Sequence, residues 1–131
     1  MSSLVLDAGA LIALDRNDRG VWAMLRIATD DAWLVQVPAG AIAQAWRDGR
    51  QQVLLTRALR HCDEVALDGA IARAVGLLCG KSRTADIVDA SVALAAAGLA
   101  RRGAVSVLTS DSGDIEHLVE TLQVDVTVIG V

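Results

Sequence analysis

The sequence predicts a three-layer α/β/α sandwich around a mostly parallel central sheet of about five strands, in one domain spanning residues 1–131. Three observations carry that expectation. Short apolar runs alternate along the chain with longer segments of helical periodicity, the pattern of strands joined by right-handed crossovers with helices on both faces. At 131 residues the chain can build one sizeable core but not two. Finally, 53% of the residues are hydrophobic, with no Phe or Tyr, so the core must pack Ala, Val, Leu and Ile closely.

Ser3-Leu-Val-Leu-Asp7 reads as a short buried strand, an apolar run ending in a polar residue. Ala8 to Leu14 follows as a helix with Leu11 and Leu14 on one face. Asp18 can cap a second helix to about Ala28, which would bury Val21, Met24, Leu25 and Ala28. Trp33 to Val37 is the next strand. Pro38 suits a helix start, and Ala39 to Trp46 continues as that helix until Asp48-Gly49 breaks it. Gln51 to Leu59 forms another helix, with Arg57 and Arg60 near its end. Glu64 to Leu67 is a weakly signalled third strand. Asp68 then caps a helix to about Cys79, with Gly80 as its stop. After the loop Gly80-Lys81-Ser82-Arg83, Thr84 is a suitable cap for a long helix from Ala85 to Arg102, closed by Gly103. Ala104 to Thr109 is the fourth strand, Ser112 to Leu122 a helix, and Val124 to Ile129 the last strand. There is no internal repeat, linker or low-complexity segment.

Composition narrows the function. A net charge of −4 is not that of a general nucleic-acid coating protein, so any RNA must meet a local basic patch or arrive at a metal. The longest apolar run, Ala90 to Ala100, falls short of the roughly 20 residues a bilayer requires. The N-terminus has no basic region before its apolar run, and Asp7 interrupts that run. A signal peptide is not expected, and a cytoplasmic location is. Cys62 and Cys79 lack CxxC spacing and read as small buried thiols, and His61 and His117 make no zinc-binding pair.

In doubly wound sheets, function collects at the carboxyl ends of strands. Asp7 closes the first strand, Asp111 follows the fourth, and Asp114 comes one helical turn later. Asp86 and Asp89 lie three apart near the start of the long helix and can face the same side. Each has a structural reading: an aspartate at a helix N-terminus is a common cap, stabilising by about 1 kcal/mol. Asp89 fits that reading least, since Ile87, Val88, Ala90 and Val92 surround it and carboxylates are rarely buried without a partner. Gathered carboxylates raise each other's pKa unless a cation holds them, and an all-oxygen site suits Mg²⁺ or Mn²⁺. The expected chemistry is metal-activated hydrolysis.

Four segments then carry a resemblance: Leu4-Val-Leu-Asp-Ala-Gly-Ala-Leu-Ile-Ala-Leu14, Val37-Pro-Ala-Gly-Ala-Ile-Ala-Gln-Ala-Trp-Arg47, Thr84-Ala-Asp-Ile-Val-Asp-Ala-Ser-Val-Ala93 and Val107-Leu-Thr-Ser-Asp-Ser-Gly-Asp-Ile115. In order and spacing they resemble the successive motifs of PIN domains, above all the VapC-type toxins of bacterial toxin–antitoxin pairs. The resemblance implies a Mg²⁺- or Mn²⁺-dependent endoribonuclease acting on structured RNA such as tRNA, as a homodimer inhibited by a cognate antitoxin protein. Carried over by position, Asp7, Asp89 and Asp111 match the catalytic, metal-holding acids. Asp114 and Asp86 resemble supporting acids for a second metal or its waters, and Thr109 and Ser110 match the small polar residues that steady the cleft.

One position departs from the motifs. The helix after the second strand usually brings a Glu, where this chain has Gln44. An amide can coordinate through its carbonyl oxygen but supplies no charge, which weakens a second metal more than the first. Gln44 therefore keeps open an alternative, a catalytically weakened PIN-like module that binds RNA or a protein partner. Arg47, Arg50, Lys81 and Arg83 are candidates for an RNA-facing patch, against the plainer reading of solvated surface charge. Gly76-Leu-Leu-Cys-Gly-Lys-Ser82 is one residue short of a P-loop and follows a helical pattern. Trp22, Trp33 and Trp46 each sit in an apolar pattern and read as packing residues more readily than as base-stacking platforms.

Overall fold

The computed structural model describes residues 2–131. Its centre is β1 (Ser3–Leu6), buried along its whole length. A strand covered on both faces reads as an unbroken apolar run, which is what Leu4-Val5-Leu6 supplies. Leu4 and Leu6 enter one apolar cluster and Val5 the other, as the two-residue period of a strand demands. β2 (Leu34–Pro38) and β4 (Val105–Thr109) flank β1, and β3 (Asp63–Val65) and β5 (Thr127–Gly130) form the edges. The order is β3-β2-β1-β4-β5, and every neighbouring pair is parallel.

Helices α1 (Ala8–Asp15), α2 (Arg19–Asp30), α3 (Ala39–Ala45) and α4 (Val53–Leu59) pack into the cluster of Leu4 and Leu6. On the other face, α5 (Gly69–Ser82), α6 (Ile87–Ala100) and α7 (Ser112–Leu122) close over Val5 and Val107. This is the expected three-layer sandwich. From β1 the chain steps outward to β2 and β3, then returns through α5 and α6 to β4 on the far side of β1. The strand order thus reverses between β1 and β4, and in sheets of this kind ligands bind at the carboxyl ends of the strands at such a reversal.

Several boundaries differ from the sequence reading, each for a local reason. The third strand is Asp63–Val65 rather than Glu64–Leu67; Ala66 and Leu67 turn out of the sheet and line a small apolar cavity. Gly80 does not stop α5. The helix runs on to Ser82, and Arg83 takes the left-handed conformation (φ 59°) that ends it, its N–H bonded to the Cys79 carbonyl. The near-P-loop segment Gly76–Ser82 is therefore helix.

Thr84 does not cap the next helix either. Its hydroxyl lies 2.8 Å from that of buried Ser82, and Asp86 is the N-cap of α6, which begins at Ile87. The last strand starts at Thr127, not Val124, because Gln123 (φ 56°) closes α7 and the Val124 N–H bonds back to Val119. Both cysteines are free and half-buried rather than fully buried. Burial pushes the Cys62 thiol up to about 12, with Asp63 and Glu64 adding to the shift, so it stays protonated at neutral pH. Trp22 and Trp33 pack partly buried against the core, but Trp46 is an exposed side chain.

Candidate active site

Asp7 stands one residue beyond β1, at the reversal point. Its N–H donates to the Leu108 carbonyl at 3.1 Å, which extends the β1–β4 ladder and fixes Asp7 beside the end of β4. The backbone there is extended (φ −91°, ψ −177°) and turns at once into α1, so one carboxylate oxygen, Oδ1, accepts the Ala10 N–H at 2.9 Å. The capping reading of Asp7 is correct as far as it goes, but a simple cap sits at the surface. Asp7 is only 3% exposed. Burial raises its pKa, and hydrogen bonding from the Thr109 hydroxyl and the Ala10 and Ser110 N–H groups offsets that in part, while Asp111 adds to it.

Thr109, fully buried at the end of β4, accepts the Asp111 N–H on its hydroxyl at 2.9 Å and so shapes the turn into α7. Asp111 occupies the N-cap position of α7 without capping it: its side chain makes no cap hydrogen bond and is exposed. Asp114 follows in the first turn of α7, also exposed.

Asp89 comes from the opposite layer. Because α6 leads down to the start of β4, its first turn lies at the carboxyl edge of the sheet. Asp86 caps that turn, its Oδ1 accepting the Asp89 N–H at 2.9 Å. Asp89 is 6% exposed, and its pKa is raised from 3.8 to about 7. Burial is the main cause, followed by the negative charges of Asp86, Asp111, Asp114 and Asp7, with no hydrogen bond to offset them. The five predicted acids therefore share one electrostatic field.

Among the described residues no basic side chain is recorded in an ion pair with these acids. The ion pair recorded among the described residues, Arg50 to Asp48 at 3.6 Å, is on the loop between α3 and α4. Among the described residues no three acids stand close enough to ligate a single ion as they are. Asp7 and Asp86 each spend an oxygen on a backbone N–H, and repulsion favours separation of the exposed Asp111 and Asp114 side chains. In donor type, excess charge and lack of a protein cation, these residues fit a hard divalent ion that would draw them inward.

Gln44, Arg47, Arg50, Lys81 and Arg83 have no ion pair with these acids among the described residues. Gln44 is exposed on α3, with no hydrogen bond recorded to any of the acids. Arg47 folds back on the end of its own helix, donating to the Ala43 and Trp46 carbonyls at 3.2 and 2.7 Å. Arg50 pairs with Asp48, while Lys81 and Arg83 are exposed at the end of α5.

The structure adds a residue that the sequence reading lacked. A Cβ on Gly9 would lie 2.2 Å from the Ser110 hydroxyl oxygen, 2.5 Å from its Cβ and 3.0 Å from its backbone N. Gly9 thus lets the first turn of α1 touch the loop that carries Asp111. A glycine in an apolar helical pattern carries no sequence signal that sets it apart from a tolerated one. Gly9→Ala should force α1 and that loop apart, lowering stability by about 1–3 kcal/mol. Thermal denaturation checks this; an unchanged midpoint would show that the contact yields freely.

No family model matches the chain, and no curated protein matches it. Among solved structures it is similar to a chain of "Structure of FitAB bound to IR36 DNA fragment". The identity is 18%, the match covers 97% of this chain and 94% of that one, and the TM-score is 0.60. At that identity the likeness establishes the fold.

Proposed function

We propose that this chain, PIN-like in fold, is a Mg²⁺- or Mn²⁺-dependent endoribonuclease that hydrolyses RNA phosphodiester bonds, and that it serves as the toxin of a toxin–antitoxin pair. One observation carries the reading. Two buried carboxylates, Asp7 and Asp89, lie at the carboxyl edge of the sheet and feel each other's charge and that of Asp111, while Asp86 and Asp114 also act on Asp89, and among the described residues no basic side chain is paired to them. Such an arrangement costs stability unless a cation relieves it, and costly titratable clusters in clefts are characteristic of functional sites.

In this reading Asp7, Asp89 and Asp111 hold the ion, with Asp114 and Asp86 supporting it. When bound, the cation supplies charge neutralisation at phosphorus and lowers the pKa of a water. The protein's own part is orientation. The Ala10 N–H holds Asp7 in one direction, the Thr109 hydroxyl favours its charged form, and the Asp89 carboxyl would release its proton to solvent were a cation bound. Asp111, free of any capping bond, can swing to complete the set. Gln44, an uncharged amide exposed on α3, would at most orient a water there. A cognate antitoxin, a homodimer and a cytoplasmic location go with this proposal. No helix among the described residues is long and apolar enough to cross a membrane.

The exposed Gln44 favours one second reading, a PIN-like module that binds RNA or a protein partner without cutting. Metal separates the two. The enzyme should cut RNA with Mg²⁺ or Mn²⁺ and stop with EDTA, and a hundredfold excess of Mn²⁺ over its dissociation constant should add about 2.7 kcal/mol of stability. A thermal midpoint and a cleavage assay that both ignore metal would refute the enzyme and leave the module.

A further inference from the structure

The acidic cleft raises a problem for any polyanionic substrate, because a chain of net charge −4 with aspartates at its working end repels phosphate at long range. The anchoring charge must lie elsewhere, and one face supplies it. Between α2 and α4 lies a groove of about 470 Å³ lined by Arg19, Arg26 and Arg57 around Trp22. Two further concavities adjoin it through shared walls. One continues past Arg57 to Arg50 and Arg60, the other past Trp22 and Arg26 to His61. Along this run of walls the acidic residue is Asp30, although acids outnumber bases sixteen to twelve in the whole chain.

Among the described residues, none of Arg19, Arg26, Arg57 and Arg60 is recorded in an ion pair. The Trp22 indole N–H donates to the Leu14 carbonyl at 3.0 Å, so the ring is held in place where it borders two of the concavities. Guanidinium groups spaced around a fixed aromatic ring match the alternation of phosphate and base along a single strand. The groove is also in reach of the cleft. Helix α1 starts beside Asp7 and ends two residues before Asn17 of the groove, a length of about 12 Å.

We propose that the α2–α4 groove binds single-stranded RNA, holding the strand while a neighbouring segment reaches the acidic cleft. RNA as the ligand rests on the function proposed above, but the test runs without metal, so the two readings can fail separately. Anisotropy of a labelled single-stranded RNA of about a dozen nucleotides is measured in EDTA across a salt series, for the parent and for the variant Arg19→Gln/Arg26→Gln/Arg57→Gln. Loss of three phosphate contacts should weaken binding at low salt at least tenfold and flatten the salt slope by about 2. All three side chains are exposed, so the thermal midpoint should hold and exclude unfolding as the cause. Equal binding by parent and variant, or no binding by the parent, overturns the proposal. So does tighter, arginine-dependent binding of a poly-glutamate peptide, which would assign the groove to an acidic protein segment.

Discussion

Asp7→Asn is expected to lower metal-dependent RNA cleavage by at least about a thousandfold without unfolding the protein. The substitution keeps the shape of the side chain and an oxygen able to accept the Ala10 N–H, so the cap of α1 survives. It removes the negative charge, and with it an anionic ligand for the cation. Removing one electrostatic support of a transition state typically costs about 2.7–4 kcal/mol, a factor of a hundred to a thousand. Here loss of the ion itself adds to that figure. Because burial holds the Asp7 pKa above its ordinary value, the neutral amide should leave the metal-free protein at least as stable as the parent. The check is turnover of an RNA oligonucleotide at saturating Mn²⁺, with thermal midpoints in EDTA and in Mn²⁺ alongside. A variant that cleaves as fast as the parent would remove Asp7 from the site and with it the basis of the assignment.

Much of the layout was legible because local chemistry and tertiary role coincide. Asp7, Asp111 and Asp114 follow short apolar runs whose parallel pairing places their ends together, and Asp89 is conspicuous as a charge in an apolar helix. Asp18 and Asp68 were legible as caps for the same reason: each makes its bond within three residues, to Val21 and Ile71. What escaped depends on distance in sequence. Gly9 matters through Ser110, about a hundred residues later, and no local pattern encodes that approach. The arginines of the α2–α4 groove come from two helices some thirty residues apart, so no local pattern groups them. The misplaced end of α5 belongs here too. Gly80 is permissive rather than obligatory as a stop, and the helix instead ends where Ser82 is buried and its carbonyl is met by a ring nitrogen of His117 from α7 at 2.8 Å.

Asp89→Asn should reverse sign with metal, which makes it the sharpest probe of what the cluster is for. In the metal-free protein the Asp89 carboxyl titrates near 7, against an ordinary 3.8. Between those values the unfolded chain has released the proton that the native state still holds, so stability falls as pH rises from about 4 to about 7 and levels off above. The parent should show this slope in EDTA. The variant should lose most of it, keeping a residue of the same sign from Asp7. At about pH 8 the variant should therefore be the more stable protein, by roughly 1–2 kcal/mol once the open, solvated side of the cleft is allowed for, or several degrees in midpoint. Near pH 4 the two should coincide. With Mn²⁺ the order inverts, because only the ionised parent gains from the ion, and cleavage by the variant should be lost. Midpoints measured across pH, with and without metal, decide the matter. If Asp89→Asn destabilises the metal-free protein at neutral pH, the carboxylate is a paired structural group rather than one held against repulsion for a cation.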